Sequence, residues 1–181
     1  MKKVLVSFCL LASLSMFAQS TFITRNGYIR FFSTTPVEDI EAANNQVSSV
    51  LDLAKSQLVF QVPIKGFTFE KALMQEHFNE NYLESDKYPS AKFKGNILGL
   101  TETKGLSKKA QQFEIEGTLT IKDASQEIKE MAMVSIVDGN VRIEMVFFIT
   151  LADYNVSIPR AVSKKIQEKI EVTVKAEYNP K

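Results

Sequence analysis

Few side chains in this sequence have the chemistry that catalysis requires. His77 is the single histidine and Cys9 the single cysteine. A nucleophilic mechanism needs a serine, cysteine or threonine beside a base and an orienting acid, so every such scheme here would depend on His77. The sequence also contains no G-x-S-x-G turn and no glycine-rich phosphate loop. We therefore expect a protein that is not an enzyme and has no catalytic residues.

A metal site at His77 would need carboxylates as further ligands. Glu80 follows it by three residues and shares its face of a helix, whereas Glu76 points elsewhere. Two ligands do not make a zinc site, so we expect no metal. Because His77 shares a helical face with Leu73 and Met74, it is either a packed or capping residue or a polar contact at the mouth of a binding site. We retain it as a candidate ligand contact.

The first twenty residues have the pattern of a signal peptide. Met1, Lys2 and Lys3 form a short basic start, and residues 4–18 carry no charge. This run is shorter than the ~20 apolar residues of a membrane-spanning helix. We expect residues 1–20 to be cleaved and residues 21–181 to be exported, to a periplasm or outside the cell. The alternative is a buried N-terminal helix of a cytosolic protein.

The composition of residues 21–181 excludes several classes of protein. Cys9 lies within the expected signal peptide, so cleavage removes all thiol and disulfide chemistry. Cleavage also removes Lys2 and Lys3 but no acid, which changes a net charge of +1 to −1. That balance gives no electrostatic attraction to nucleic acid. With no later apolar run of spanning length, we expect no stable membrane anchor and a single domain.

Apolar and polar residues alternate with period two along most of the chain, which is typical of β-strands with one buried face. The clearest such runs are residues 58–64, 113–121, 141–149 and 170–178, and weaker ones are 28–34, 44–53, 91–98 and 128–137. Polar turns separate them, including Asp138-Gly139-Asn140, a tight hairpin signal, and the segments 102–109 and 122–127. These features predict an all-β fold of about eight antiparallel strands, arranged as a meander or a barrel.

Helical spacing interrupts this pattern at few places. Apolar residues recur at helical spacing from Glu70 to Leu83, and a second short helix is expected over residues 160–166, after Pro159. A further helical turn is expected from Val37 to Ala43. In a small barrel, such helices lie across an open end. A barrel of about eight strands is either filled by its own side chains or holds one small ligand, and periodicity does not decide between the two.

The segment from Met74 to Phe93, which ends in K-Y-P-S-A-K-F, resembles the helix-to-strand signature of the YceI-like family. Gly117 to Ile121 is similar to its G-x-L-T-I strand, and Phe148 to Val156 to its strand end with an Asp-Tyr pair. The resemblance implies a lipocalin-like barrel, exported, with a tunnel that holds a polyisoprenoid or similar amphiphile. The chain departs from the family pattern at 21–33, which lacks its tryptophan and D-x-x-H-S element, and at Leu151-Ala152, where an arginine is frequent.

Two functions remain open from the sequence. The first is an exported protein that binds an apolar lipid, with no cofactor other than that lipid. Its expected tunnel contacts are Phe31, Phe60, Val62, Phe93, Phe113, Ile115, Leu119, Ile143, Met145, Phe147, Val172, Val174 and His77. The second is an exported structural or interaction module with a packed barrel and a protein partner. Val146 and Phe148 are apolar and lie on the opposite face to Phe147, which favours the second function. The protein is expected to be either a monomer or a homodimer.

Overall fold

The computed structural model describes residues 20–101 and 106–181. Most of the expected signal peptide therefore lies outside the described residues. Within these two ranges the structure has nine strands: β1 (Thr21–Thr34), β2 (Asp39–Asp52), β3 (Gln57–Pro63), β4 (Thr68–Phe69), β5 (Ser90–Ile97), β6 (Gln111–Ile121), β7 (Ala124–Val137), β8 (Asn140–Thr150) and β9 (Lys169–Pro180).

Eight of these strands form one closed ring in which every neighbouring pair is antiparallel. The order is β1-β9-β8-β7-β6-β5-β3-β2, and the pairing of β1 with β2 closes the ring. The short strand β4 pairs with β2 at Ala42 and Ala43 and does not belong to the ring. The predicted eight-stranded antiparallel barrel is confirmed.

In the part of the chain that the structure describes, one helical segment and three short 3-10 turns interrupt the strands. An α-helix, α1 (Ala72–His77), continues as a π-helix (Phe78–Tyr82), which confirms the helix predicted over 70–83. The 3-10 turns are Ile64–Gly66, Leu151–Tyr154 and Arg160–Val162. The last of these covers the start of the helix predicted over 160–166. Among the described residues, no helix is long and apolar enough to cross a membrane.

The prediction of a helical turn from Val37 to Ala43 is wrong, because β2 begins at Asp39. Ile40 pairs with Ser33 and Ala42 with Phe31, so this stretch completes a ladder with β1. Ala42 is buried in the core while Glu41 is exposed, which is the alternation of a strand. Pairing with β1 thus overrides the local helical preference of the Glu-Ala-Ala sequence.

Two glycines allow β5 and β6 to approach each other closely beneath an aromatic ring. Gly95 pairs directly with Gly117. A Cβ atom at Gly117 would lie 2.4 Å from the Gly95 Cα, and one at Gly95 would lie 2.5 Å from the Phe93 Cζ. Neither position has room for a side chain. Because Gly95 has none, the Phe93 ring can lie over it on the inner wall.

The ladder between β7 and β8 is much shorter than its neighbours. It runs through five residue pairs, from Met133–Glu144 to Val137–Asn140 at the hairpin. By contrast, β6 pairs with β7 over eleven residue pairs and β8 with β9 over ten. Residues 124–132 of β7 and residues 145–150 of β8 therefore form no strand pairs with each other. The 3-10 turn Leu151–Tyr154 lies beside this gap, where the Gln126 side chain donates to the Asp153 carbonyl at 2.9 Å.

Candidate functional site

The barrel is filled at one end and hollow at the other. At the closed end, near the β7–β8 hairpin, large side chains are fully buried against one another: Val47, Leu51, Ile97, Leu100, Val134, Val141, Ile143 and Tyr178. The Tyr178 hydroxyl lies 2.7 Å from the Ser49 Oγ, which also donates to the Val59 carbonyl at 2.7 Å. This hydrogen-bonded network satisfies the polar atoms of an otherwise apolar plug.

The hollow end contains a cavity of about 150 Å³ whose wall is apolar. An apolar cavity of roughly this size stays dry and accepts apolar guests, because water finds no hydrogen-bond partners inside it. All eight ring strands except β2 contribute to the wall. The lining residues are Ile29, Phe31, Leu58, Phe60, Val62, Ile64, Phe67, Phe78, Leu83, Ala91, Phe93, Ile115, Leu119, Ile121, Ile128, Met145, Phe147, Ile149, Leu151, Tyr154, Val156, Val172 and Val174.

Ten of the residues that the sequence predicts as tunnel contacts line this cavity. They are Phe31, Phe60, Val62, Phe93, Ile115, Leu119, Met145, Phe147, Val172 and Val174. Ile143 and Phe113 do not line it. Ile143 pairs with Val134 in the closed end and is fully buried there, and Phe113 pairs with Ala132 at the same level. His77 lies at the mouth of the cavity and is exposed, not packed in the core.

Sequence reasoning missed the wall residues that lie outside regular strands. Phe67, Phe78 and Leu83 come from the helical segment and the chain leading into it, and Tyr154 and Val156 from the chain after β8. No period-two signal marks these segments. The K-Y-P-S-A-K-F block and the Asp153-Tyr154 pair, which carry the family resemblance, do mark their position in the chain.

The helical segment closes the cavity through a cluster of four phenylalanine rings. Phe78 stacks on Phe31 of β1 with ring centroids 5.4 Å apart and an interplanar angle of 26°. It also contacts Phe67 at 5.5 Å and Phe69 at 5.1 Å between centroids. Such offset and edge-on pairs stabilise by about 0.5–1.5 kcal/mol beyond the area that they bury. The four rings therefore hold the helical segment over the hollow end.

A second hollow of about 370 Å³, here called the mouth, lies outside this aromatic cluster. Phe31, Leu83, Leu151 and Val156 border both the mouth and the cavity, so the two share a wall. Most of the mouth is apolar, with contributions from Leu73, Met74 and Tyr82 on the helical segment. The arrangement suits an amphiphile, because an apolar interior leads outward to a region that also carries charge.

Three charged side chains border the mouth and form one ion-pair cluster. The Glu38 carboxylate lies 2.7 Å from the Lys71 Nζ and 3.6 Å from the Lys165 Nζ. The two lysines are well exposed, and the Glu38 side chain is 19% exposed. The hydrogen bond from Lys71 holds the pKa of Glu38 below its usual value, and Glu38 in turn raises the pKa of Lys71. Glu38 and Lys71 therefore both remain charged near neutral pH.

The Glu130 carboxyl group lies on the inner face of the barrel. Glu130 pairs with Ile115, whose side chain lines the cavity, and burial raises the pKa of Glu130. Tyr154, in the cavity wall, has its pKa raised to about 12 by burial and by the nearby Asp153 carboxylate. It therefore remains a neutral phenol at any physiological pH. Within residues 20–101 and 106–181, no group of three or more metal-ligating side chains comes together.

Solved structures with the same fold come from several bacteria. A polyisoprenoid binding domain from Saccharophagus degradans, implicated in plant cell wall breakdown, superposes with a TM-score of 0.78 at 12% identity, covering 90% of this chain and 99% of that one. Burkholderia cenocepacia BcnA gives a TM-score of 0.65 at 13% identity, covering 84% and 95%. A YceI protein from Campylobacter jejuni gives 0.62 at 17% identity, covering 77% and 84%.

At these identities the structural likeness shows a shared barrel fold. Among curated proteins, none is significantly similar to this chain. A family model for the YceI-like domain matches residues 20–178, which is nearly all of the described chain. The chain therefore belongs to the YceI-like family.

Proposed function

We propose that this protein binds an apolar lipid, a polyisoprenoid or a similar long-chain amphiphile, with its tail inside the cavity. The observation that carries the proposal is the cavity itself, whose 23 lining residues are apolar or aromatic. Binding would be driven by burial of apolar area, at roughly 25 cal/mol per Å² before the cost of association is subtracted. The polyisoprenoid-binding domain of Saccharophagus degradans, which shares this fold, supports the choice of ligand class.

The proposal includes no catalytic step. The wall of the cavity offers no nucleophile, and its single titratable side chain, Tyr154, remains protonated. His77 is exposed at the mouth, away from the apolar interior. The protein would therefore carry, store or protect its ligand without changing it.

The decisive experiment is native mass spectrometry of the protein purified from its own host, followed by organic extraction and lipid analysis. A stoichiometric adduct that extracts as a polyprenyl compound would support the proposal and identify the ligand. A ligand-free mass, together with no binding of added isoprenoid lipids, would contradict it.

A matched pair of variants tests whether the ligand occupies this cavity. Val172 lies in the cavity wall, whereas Val146 on the neighbouring strand faces outward and is 55% exposed. Val172→Phe adds a ring inside the cavity and should prevent binding, with the added volume taken up by the empty space. Val146→Phe adds the same volume outside and should leave binding unchanged. Equal binding by both variants would place the ligand elsewhere.

A second candidate function, an interaction module with a protein partner, is favoured by exposed apolar side chains on β7 and β8, here called the stripe. Phe148 is 59% exposed and Val146 55%, and Met131 and Met133 are also exposed. Contiguous exposed apolar surface marks interaction sites in many soluble proteins. Light scattering of the purified protein, compared with a Phe148→Ser variant, separates a dimer through this stripe from a monomer.

We also propose that the protein is exported, with residues 1–20 removed as a signal peptide. The support is the sequence pattern alone: two lysines, then a charge-free run from Val4 to Ala18. The intact mass of the protein isolated from its host tests this directly. A mass that includes residues 1–20, in a cytosolic fraction, would contradict export.

A further inference from the structure

The barrel wall has a gap between β7 and β8 at the level of the cavity. The ladder that joins these strands ends at the pair Met133–Glu144, so residues 124–132 of β7 and 145–150 of β8 face each other unpaired. Four residues on the two edges of this gap line the cavity: Ile128, Met145, Phe147 and Ile149. The gap therefore lies in the part of the wall that encloses the hollow end.

The inner side of the gap is apolar and partly exposed. Ile128, Met145 and Ile149 each border the cavity, and each is half-buried. By contrast, every cavity-lining residue of β3 and β5 is buried: Leu58, Phe60, Val62, Ala91 and Phe93. The cavity wall is therefore less well covered at the gap than on these two strands.

The outer side of the gap is apolar as well. Met131 on the β7 edge is 44% exposed, and Val146 and Phe148 on the β8 edge are 55% and 59% exposed. Glu130, on the inner side of the β7 edge, does not line the cavity. An apolar molecule that passes through the gap would thus contact apolar side chains on both faces of the wall.

Strand pairing closes one end of the gap, and exposed hydrogen bonds bridge the other. The 3-10 turn Leu151–Tyr154 follows β8, and Gln126 of β7 donates to the Asp153 carbonyl at 2.9 Å. The Asn155 side chain donates to the Asp123 carboxylate at 3.1 Å. All four residues are exposed, so water replaces these hydrogen bonds when they break and their net contribution is small. The turn can therefore move away from β7 at little cost.

The route from the mouth to the cavity is obstructed by aromatic rings. Phe78 contacts the rings of Phe31, Phe67 and Phe69 where the mouth and the cavity meet. Passage along the barrel axis would separate these rings and expose the apolar area that they bury. Passage through the gap requires the loss of exposed hydrogen bonds alone.

We propose that an apolar ligand enters and leaves the cavity sideways, through the gap between β7 and β8, when the 3-10 turn Leu151–Tyr154 moves away from β7. The inference rests on the proposed binding of an apolar lipid in the cavity and adds the route by which that lipid exchanges. A long chain can enter this gap along its length, whereas axial entry would thread it end first through the ring cluster.

The test bridges the gap in the folded protein and measures ligand exchange. Continuing the register of the β7–β8 ladder sets Lys129 across from Phe148, and both side chains are exposed. Lys129→Cys with Phe148→Cys, in a Cys9→Ser background, is joined by a short bis-maleimide. Binding and release of the neutral fluorophore N-phenylnaphthylamine should both slow by roughly tenfold, which corresponds to a barrier about 1.4 kcal/mol higher. The affinity should not change, because the bridge alters the route and not the site.

Two matched cross-links with the same reagent serve as controls. Glu116 is the β6 partner of Lys129 in an unbroken ladder, so a bridge between Glu116→Cys and Lys129→Cys should leave both rates unchanged. Glu38 and Lys71 border the mouth, and a bridge between Glu38→Cys and Lys71→Cys should also leave the rates unchanged. Val172→Phe, in the cavity wall, should abolish binding of the fluorophore and so show that it occupies the cavity.

Release should become faster when the bridged end of the gap is freed. Gln126→Ala removes the hydrogen bond to the Asp153 carbonyl and should speed release of the fluorophore. Gln112→Ala makes the same change at an exposed position of β6 and should not.

Equal exchange rates in the gap-bridged and ladder-bridged proteins would overturn the lateral route and leave binding in the cavity standing. Slower exchange in the mouth-bridged protein, with normal exchange in the gap-bridged one, would assign the route to the mouth instead. If the unmodified protein binds neither the fluorophore nor geranylgeraniol, the proposed function itself fails, and the route with it.

Discussion

The ring of Phe78 stacks on the ring of Phe31, with centroids 5.4 Å apart and an interplanar angle of 26°. Phe31 belongs to β1 and Phe78 to the π-helical part of the helical segment, so this one contact joins the barrel wall to the element that covers its open end. Both rings also border the cavity. Access to the interior and attachment of the helical segment therefore depend on the same pair of side chains.

Replacement of Phe78 should loosen the cover of the cavity. Phe78→Ala removes all three ring contacts of Phe78 along with half-buried apolar area. We expect a loss of about 2 kcal/mol of unfolding free energy, below the 3–5 kcal/mol of a fully buried ring. Bound lipid should also be released faster. Phe148→Ala makes the same chemical change at an exposed position, where about 0.5 kcal/mol or less is expected. Urea unfolding and ligand release rates of the two variants check this, and similar values for both would contradict it.

A charge inside the cavity separates ligand binding from folding. Phe147→Asp places a carboxylate in the apolar wall and should abolish lipid binding more than it harms folding, because the hollow end lets the group reach water at the mouth. Phe113→Asp, at the closed end outside the cavity, should reduce stability with no direct effect on a ligand contact. Thermal unfolding and lipid binding are measured on both. Equal loss of stability and binding in Phe147→Asp would indicate a filled core.

The close approach of β5 and β6 leaves no room for a side chain at Gly117. Gly117→Val should cost roughly 1–3 kcal/mol or more through overpacking, since even a Cβ atom would lie 2.4 Å from the Gly95 Cα. Gly139→Ala is the comparison, because that glycine has φ +84° and open space around it. Its cost should be confined to backbone strain, about 1 kcal/mol. Chemical denaturation measures both, and a smaller loss at Gly117 than at Gly139 would refute the steric argument.

Stability should fall at alkaline pH because two tyrosines are buried. Burial raises the pKa of Tyr178 well above its usual value and that of Tyr154 to about 12. A raised pKa contributes stability that is complete below the unfolded-state value of about 10 and is lost as pH rises toward the folded-state value. Each tyrosine should therefore lower the unfolding free energy by roughly 1.4 kcal/mol per pH unit above pH 10.

Tyr178→Phe provides the check on this pH dependence. The variant should be less stable at pH 7, by about 1 kcal/mol for the lost hydrogen bond to Ser49, yet lose stability less steeply above pH 10. Urea midpoints at pH 8, 10 and 11 for the two proteins supply the comparison. Parallel pH profiles would show that Tyr178 does not titrate in the unfolding transition.

The barrel was predictable because its strands bury one face and pair with neighbours close in sequence. Apolar residues recur at every second position of β6, β8 and β9, so period two identified these strands and their inward residues. The first part of β1 was not identified, since Thr24, Arg25 and Asn26 interrupt the alternation where the β1–β2 register shifts. Local sequence does not encode the partner that keeps such a stretch extended.

The sequence predicts which side chains of the candidate site point into the barrel, but not how far along the barrel axis each one lies. Period two tells which residues face inward, and Phe147 and Ile143 satisfy it equally. It does not tell how far along the barrel axis each residue lies, and the closed end is filled by Tyr178 and its neighbours while the other end is hollow. The mouth could not be predicted from the sequence either. Its charged residues Glu38, Lys71 and Lys165 come together through three loops that carry no periodic signal.

The short β7–β8 ladder gives this barrel a seam. Residues 145–150 of β8 are held by β9 alone, and residues 124–132 of β7 are held by β6 alone. Amide deuterium exchange should therefore begin along this line, and thermal fraying should start there and travel toward the hairpin. The outer flanks of the seam carry Val146, Phe148 and Met131, so its opening would present an unpaired strand edge bordered by apolar side chains, the combination from which proteins associate edge to edge.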